Sequence, residues 1–119
     1  MRKVVLAGPI LVMLSMPAAA GPEWSLLEQG ASLLGEARAW VEVCEAEQVK
    51  RFDGLLDNVR LILTNAGLQE HEIFRFDAVY EASIRLTEGE GTVDCGDTEP
   101  RAQVATGVRL VNEAIAEPQ

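Results

Sequence analysis

Apolar residues recur at alternating steps of three and four in the run VKRFDGLLDNVRLILTNAG, residues 49–67. This spacing places them on one stripe of an α-helix. Leu55 and Ile62 widen the stripe toward the broad apolar face that a helical core requires. The pattern predicts a helix over Val49–Ala66, and we expect the rest of the chain to be organised around it. The stripe consists of Val49, Phe52, Leu56, Val59, Leu63 and Ala66.

A first helix is predicted from Glu23 to about Cys44, because apolar residues occur there in pairs seven positions apart. Gly30 and Gly35 each weaken this helix by up to about 1 kcal/mol relative to alanine. They mark either a close helix crossing or a break near Gly35. The pairs are Leu26-Leu27, Leu33-Leu34 and Trp40-Val41.

The connection between the first two helices has two interpretations. The segment between Cys44 and Val49 contains neither glycine nor proline, so the first interpretation is one long helix running to Ala66. We favour a turn over Cys44–Glu47, because an unbroken helix of that length is unusual in a small globular protein.

Two further helices follow. Gly67 can adopt the left-handed conformation that closes a helix, with Leu68 packing back on the last turn. A third helix then begins at about Gln69–Glu70, and a loop covers Glu88–Asp97. The buried face of the third helix is Ile73, Phe76, Tyr80, Ile84 and Thr87, flanked by Phe74, Val79 and Leu86.

A fourth helix starts at Thr98-Glu99-Pro100, with proline in its first turn. Its apolar stripe is Val104, Val108, Val111 and Ile115, widened by Ala105 and Ala114. Short connections favour an all-α, up-down-up-down four-helix bundle, or three long helices if the first two are continuous. In the bundle, the first and third connections lie at the same end, so one disulfide between Cys44 and Cys95 is geometrically easy.

The N-terminus has the layout of a cleaved secretory signal peptide, residues 1–20. Basic Arg2 and Lys3 precede the apolar run Val4–Met16, and small residues lead to Ala20. Cleavage near Ala20 leaves residues 21–119, enough for a single helical domain. The expected location is the periplasm or the medium, where two cysteines form a disulfide most simply. No later segment is apolar enough to suggest membrane insertion after cleavage.

The chain is acidic, with a formal net charge of −9. Loss of Arg2 and Lys3 with the signal removes two positive charges and gives −11. Such a chain repels phosphate backbones, so a nucleic-acid partner is disfavoured. A partner protein with a basic surface is electrostatically favoured.

Few residues suggest cofactor, metal or catalytic chemistry. No Cys-x-x-Cys-His motif occurs, and all three methionines (Met1, Met13, Met16) precede residue 21, so we expect no haem. His71 is the only histidine, which argues against zinc or di-iron sites. The acidic loop suits at most weak calcium binding, because it lacks EF-hand spacing. Its acids are Glu88, Glu90, Asp94, Asp97 and Glu99.

No catalytic residue is predicted, and we expect that the protein is not an enzyme. The serines at 25, 32 and 83 have only His71 as a possible base. His71, between two glutamates, is expected to be an exposed residue of a helix start. Trp40 is expected to pack in the core beside the disulfide. Lys50, the only lysine after the signal, suggests no Schiff-base or phosphate site.

Three functions remain. The first is protein binding by an exported helical protein, as an inhibitor, an immunity protein or an assembly adaptor. The second is an acid- or stress-activated chaperone, since the layout resembles that of small acid-activated periplasmic chaperones, which are also helical with one disulfide across a comparable span. The third is a carrier of a small apolar ligand, held where Gly30 and Gly35 leave space between helices.

Overall fold

The computed structural model describes residues 21–91 and 93–116, so the predicted signal peptide, Met1–Ala20, lies outside the described residues. The described part is compact and all-α, as the sequence predicts. Within it, every helix is too short or too polar to cross a bilayer. The helices are α1 (Trp24–Cys44), α2 (Val49–Asn65), α3 (Glu70–Glu90) and α4 (Glu99–Ile115).

The central element is α1, whereas the sequence analysis placed α2 at the centre. α1 packs extensively against both α3 and α4, and its contact with α2 is smaller. Nine residues of α1 are buried, compared with four of α2. The strong apolar period of α2 reflects a helix that covers the core on one face, while a central helix is buried on several faces.

Glycines allow α1 to approach its two main neighbours. A Cβ atom on Gly30 would lie 2.9 Å from the carbonyl oxygen of Gly107 in α4. A Cβ atom on Gly35 would lie 2.5 Å from the carbonyl oxygen of Tyr80 in α3. Both distances are too short for a real side chain. The two glycines of α1 therefore mark close helix crossings, and the helix continues through Gly35 without a break.

The chain turns between α1 and α2, which excludes the single long helix. Glu45 leaves the helical conformation, and a 3-10 turn over Ala46–Gln48 leads into α2. Arg38 Nε donates a hydrogen bond of 3.0 Å to Asp53 Oδ1. Residues on either side of the turn therefore face each other.

α2 ends at the glycine that the sequence analysis identified as its terminator. Gly67 has a φ of 98°, and its N–H donates to the carbonyl of Thr64 at 3.0 Å. The N–H of Leu68 donates to the carbonyl of Leu63 at 3.1 Å. These two bonds form a Schellman motif, and the buried Leu68 side chain completes it.

α3 is longer than predicted, and its predicted face points to the core, with Phe76 and Tyr80 buried and Ile73, Ile84 and Thr87 half-buried. Gln69 and Glu72 form a capping box at its start. The helix runs through Glu88–Glu90, which the sequence analysis placed in a loop, and closes at Gly91. Phe74 and Leu86 were expected beside the buried face, but they are 73% and 68% exposed.

In α4, the buried face agrees with the prediction only in part. Its buried residues are Gly107, Leu110, Val111 and Ala114. Gly107 and Leu110 were missing from the predicted stripe, while Val104, Val108 and Ile115 are only half-buried and Ala105 is exposed. The close approach at Gly107 places this glycine against α1 and leaves Val104 and Val108 at the flank of the buried face.

A disulfide joins Cys44, the last residue of α1, to Cys95 in the loop before α4, with Cα atoms 5.4 Å apart. At the other end, the N–H of Glu23 donates to the carbonyl of Ala114 at 2.8 Å. These contacts hold α1 and α4 together at both ends. Since the neighbours of α1 are mainly α3 and α4, the up-down-up-down arrangement stays a prediction.

Candidate functional site

An open groove lies between α2 and the start of α4, beside the end of α1. Its volume is about 1130 Å³. The apolar lining comes from Val41 of α1, Phe52 and Leu55 of α2, and Pro100 and Val104 of α4. The groove therefore has apolar side chains along its base, and the rest of its lining is polar or charged.

The groove exists because α2 and α4 both cover α1 but make little contact with each other. Leu55 and Ile62 were predicted to widen the core face of α2. Both are only half-buried, so this prediction is wrong. They lie on the flank of α2 because the four core positions already fill the space above α1.

Charged side chains surround the groove unequally. Lys50 and Arg51 of α2 are exposed, and within the described residues neither makes an ion pair. At the disulfide end, Glu47 and Glu99 are exposed and adjoin the lining residues Gln48 and Pro100 in sequence. Charges of both signs line the groove itself: Arg51 and Asp57 on the α2 side, and the paired Glu45 and Arg101 at the disulfide end.

The wall near the disulfide is held by a set of specific contacts. The Trp40 indole is 4% exposed, and its Nε1 donates to the carbonyl of Asp94 at 3.0 Å. Arg101 forms an ion pair with Glu45 and lies 5.6 Å from the Trp40 ring centroid. These contacts fix the loop and the start of α4 on α1. Trp40 packs beside the disulfide, as expected.

The carboxylates of the acidic loop cap local structure. Asp94 Oδ1 accepts from the N–H of Gly96 at 2.9 Å, and Asp97 Oδ1 accepts from the N–H of Glu99 at 2.9 Å. Among the described residues, no three His, Cys, Asp or Glu side chains are grouped so that they could hold a metal ion. The two aspartates thus stabilise local turns of the chain before α4.

A second polar cluster connects α1, α2 and α3 around Tyr80. Arg38 bonds to Asp53 at 3.0 Å, and Arg60 bonds to Asp77 at 2.8 Å. Burial opposes the charged form of Arg38, but its hydrogen bonds to Asp53 and Glu42 outweigh this and raise its pKa. Burial also raises the pKa of the Tyr80 phenol well above its usual value. The ion pairs of this cluster attach α2 to its neighbours.

The remaining residues considered in the sequence analysis lie apart. Ser83 Oγ donates to the carbonyl of Ser32 at 2.7 Å, which supports the close α1–α3 crossing. Ser25 accepts a hydrogen bond from Gln29. His71 is exposed in the first turn of α3, as expected. The structure does not bring His71 together with the serines.

The sequence analysis missed two features of α2. Gly54 lies in the middle of the helix, lines the groove, and would have no atom within 4 Å of an added Cβ. Leu61, seven positions later, is 56% exposed. The sequence signal was the glycine itself, because a glycine in a helix interior lowers helix stability by about 1 kcal/mol relative to alanine.

In comparisons with known proteins, the chain matches no family model, no curated protein and no solved structure.

Proposed function

We propose that this protein is exported and acts by binding another protein, as an inhibitor, an immunity protein or an assembly adaptor. The observation that carries the proposal is the open groove between α2 and α4, which has an apolar base and a charged rim. A groove with an apolar base can bury more of a bound protein segment than a flat surface can.

Charge supports a basic partner. The formal net charge is −9, and it becomes −11 when Arg2 and Lys3 are removed with the predicted signal. An electrostatic field of this sign accelerates association with a basic surface and makes the association sensitive to salt.

Export is proposed from the signal-like N-terminus and is supported by the disulfide. Cleavage near Ala20 would deliver residues 21–119 to the periplasm or the medium. The Cys44–Cys95 bond is stable in such an oxidising compartment.

We also propose that the four helices follow an up-down-up-down path. Glu23 meets Ala114 at one end, while Cys44 meets Cys95 at the other, as this path requires of α1 and α4. Such a path places the first and third connections together at the disulfide end, next to the groove.

The test is chemical crosslinking of the full protein in its native extract, followed by mass spectrometry of the captured species. We expect one dominant basic partner whose capture is lost at high salt. If repeated captures at low salt give no dominant partner, the proposal is wrong.

A chaperone activated by acid is the second candidate, and one observation favours it. The ion pairs Arg38–Asp53 and Arg60–Asp77 attach α2 to α1 and α3. Ion pairs between carboxylates and arginines are lost in strong acid, where carboxyl groups in general are neutral. Release of α2 would then expose apolar residues of the core to an unfolded client.

Light scattering of an aggregating client at a pH of about 3, below the usual pKa of Asp and Glu, tests this candidate. A chaperone would suppress the scattering at this pH and have no effect at neutral pH. Unchanged scattering in acid excludes it.

A further inference from the structure

The first residue after the predicted cleavage point lies close to the start of α3. A Cβ atom built on Gly21 would lie 3.9 Å from Glu72 Oε2, and among the described residues no other heavy atom beyond the neighbours of Gly21 in the chain comes within 4 Å of that position. Gly21 itself is exposed. The space beside Gly21 is therefore bordered by a carboxylate.

The Glu72 side chain is held in place by one of its oxygens. Glu72 Oε1 accepts a hydrogen bond of 2.9 Å from the N–H of Gln69, as part of the capping box at the start of α3. The other oxygen, Oε2, is the one that lies beside Gly21. Glu72 is half-buried and forms no ion pair with any described residue. This oxygen is therefore available to a cation.

Contacts with two neighbouring helices fix the start of α1. The N–H of Glu23 donates to the carbonyl of Ala114 in α4 at 2.8 Å. On the α3 side, Arg75 Cζ lies 3.9 Å from the centroid of the Trp24 ring. Gly21 is only three residues before Trp24, so these contacts keep it beside α3.

The nearest arginine or lysine along α3 does not neutralise Glu72. It is Arg75, whose Nη2 lies 3.0 Å from Glu28 Oε2 and whose guanidinium covers the Trp24 ring. The ion pair of Arg75 is thus made with α1, and Glu72 remains without a cationic partner among the described residues.

Cleavage after Ala20 would change the chemistry at Gly21. In the uncleaved chain, the nitrogen of Gly21 is a neutral amide. Hydrolysis of the Ala20–Gly21 bond by one water molecule gives a carboxylate on Ala20 and an ammonium group on Gly21, which is mostly charged at neutral pH. With no residue before it, this group rotates about the Cα–C bond of Gly21. Rotation carries the nitrogen to the position of the Cβ atom, 3.9 Å from Glu72 Oε2, which is within ion-pair distance.

We propose that signal cleavage creates an ion pair between the α-ammonium group of Gly21 and the carboxylate of Glu72. This inference rests on the proposed export and adds to it a contact that only the processed chain possesses. The start of α3 is thus a binding site for the new N-terminus of the same chain. The ion pair fastens α1 to α3 and makes the processed protein more stable than the same domain with a neutral group at Gly21.

The test compares free and blocked N-termini of the processed protein, purified from the exported fraction of its native source. Mass spectrometry should show that this protein begins at Gly21. Acetylation in urea at a pH of about 6.5 blocks the α-amino group in preference to Lys50, because an α-amino group has a lower pKa than a lysine. Lys50 is the only lysine after the signal, so peptide masses identify protein that is acetylated at one site. Removal of the urea refolds it.

Two variants, exported in the same way, identify the carboxylate that is involved. Glu72→Gln removes the charge but keeps an oxygen that accepts from Gln69, so the capping box is retained. Glu70→Gln is the matched control, because it removes the same charge from the same turn of α3. Positions two apart lie on nearly opposite sides of a helix. Urea unfolding followed by circular dichroism measures the stability of each variant with its N-terminus free and acetylated.

We expect acetylation to increase the equilibrium constant for unfolding about two- to fivefold in the unchanged protein, as for a partly exposed ion pair. The increase should be the same in Glu70→Gln and absent in Glu72→Gln. It should become smaller at about 1 M salt, because salt screens the charges. No effect of acetylation on the unchanged protein, or an equal effect in Glu72→Gln, would overturn the inference.

The mass of the native protein separates this inference from the proposed export. If the chain begins at Gly21 but acetylation acts equally with and without Glu72, the ion pair is wrong and the proposed export stands. If the chain begins at another exported residue, export stands and the inference is wrong, because the ammonium group is not on Gly21. If the native chain is uncleaved, both are wrong. None of these results depends on the capture of a partner protein, which tests the proposed binding function separately.

Discussion

Single glycine residues have opposite effects in this protein according to what lies above them. Gly35 is required because the backbone of Tyr80 occupies the position of its missing side chain. Gly54 has open space instead, so the folded chain alone gives no reason for it. The same residue type therefore marks an internal crossing in α1 and an external surface in α2.

We predict that Gly35→Ala lowers the free energy of unfolding by about 1–3 kcal/mol, because the added methyl group pushes α1 and α3 apart. Gly54→Ala should raise it by up to about 1 kcal/mol, since alanine favours the helix and meets no other atom. Urea unfolding followed by circular dichroism measures both changes. A destabilised Gly54→Ala variant would contradict this account of α2.

Tyr80 makes stability depend on alkaline pH. In the unfolded chain, its phenol loses a proton near pH 10, but burial keeps it protonated to higher pH in the folded protein. Above about pH 10, the unfolded state therefore binds fewer protons, and the free energy of unfolding falls as pH rises. Arg38, Asp53, Arg60 and Asp77 surround the phenol from three helices.

We expect Tyr80→Phe to remove this tyrosine-dependent part of the alkaline loss, while stability at neutral pH changes little. Since Tyr80 is the only tyrosine, the near-ultraviolet absorbance of tyrosinate reports its ionisation directly. Ionisation of the folded protein at the ordinary tyrosine pH would show that the phenol is not buried as described.

At the scale of helices, features that depend on neighbouring residues were predicted better than features that depend on distant contacts. The Schellman motif at Gly67 depends on a few neighbouring residues, so it could be predicted from the sequence. The rotation of α4 depends on Gly107 meeting Gly30, which lies far away in the chain. Periodicity counts apolar side chains and gives no weight to a glycine, so the predicted face of α4 included Val111 and Ala114 but missed Gly107.

α2 should be the helix that opens most easily. Its contacts with the other helices are few, and the two ion pairs that attach it have partly exposed partners, so each contributes at most about 1 kcal/mol. We predict faster amide hydrogen exchange in α2 than in α1, measured by mass spectrometry. Asp53→Asn should increase amide exchange in α2 and leave exchange in α1 unchanged. Equal exchange rates in the two helices would show that α2 does not open before α1.

For the whole molecule, the sequence predicted the all-α class and the cysteine pair, but it did not predict the groove. The fold class follows from periodicity and connection lengths, which are local properties. The groove depends on the separation of α2 from α4, and hence on how both pack against α1. Leu55 and Val104 would be apolar whether α2 and α4 packed together or stayed apart. Only the packing of both helices on α1 decides whether these two residues are in contact.

The disulfide should be a major contributor to stability. It closes a span of 51 residues, for which loss of chain entropy in the unfolded state predicts up to about 4 kcal/mol. The double variant Cys44→Ser, Cys95→Ser should unfold at a much lower urea concentration. Reduction of the unchanged protein by a thiol should have the same effect, and an unchanged midpoint would contradict it.

The pairing of the first helix with the last has a consequence for the order of folding. α1 meets α4 along its length, from Glu23–Ala114 to the disulfide end. A chain that emerges from a ribosome or a translocation channel N-terminus first cannot complete these contacts until its final helix has appeared. Contacts between segments so far apart in the chain add to the time that folding takes, so the packing of α1 is completed only when almost the whole chain has emerged.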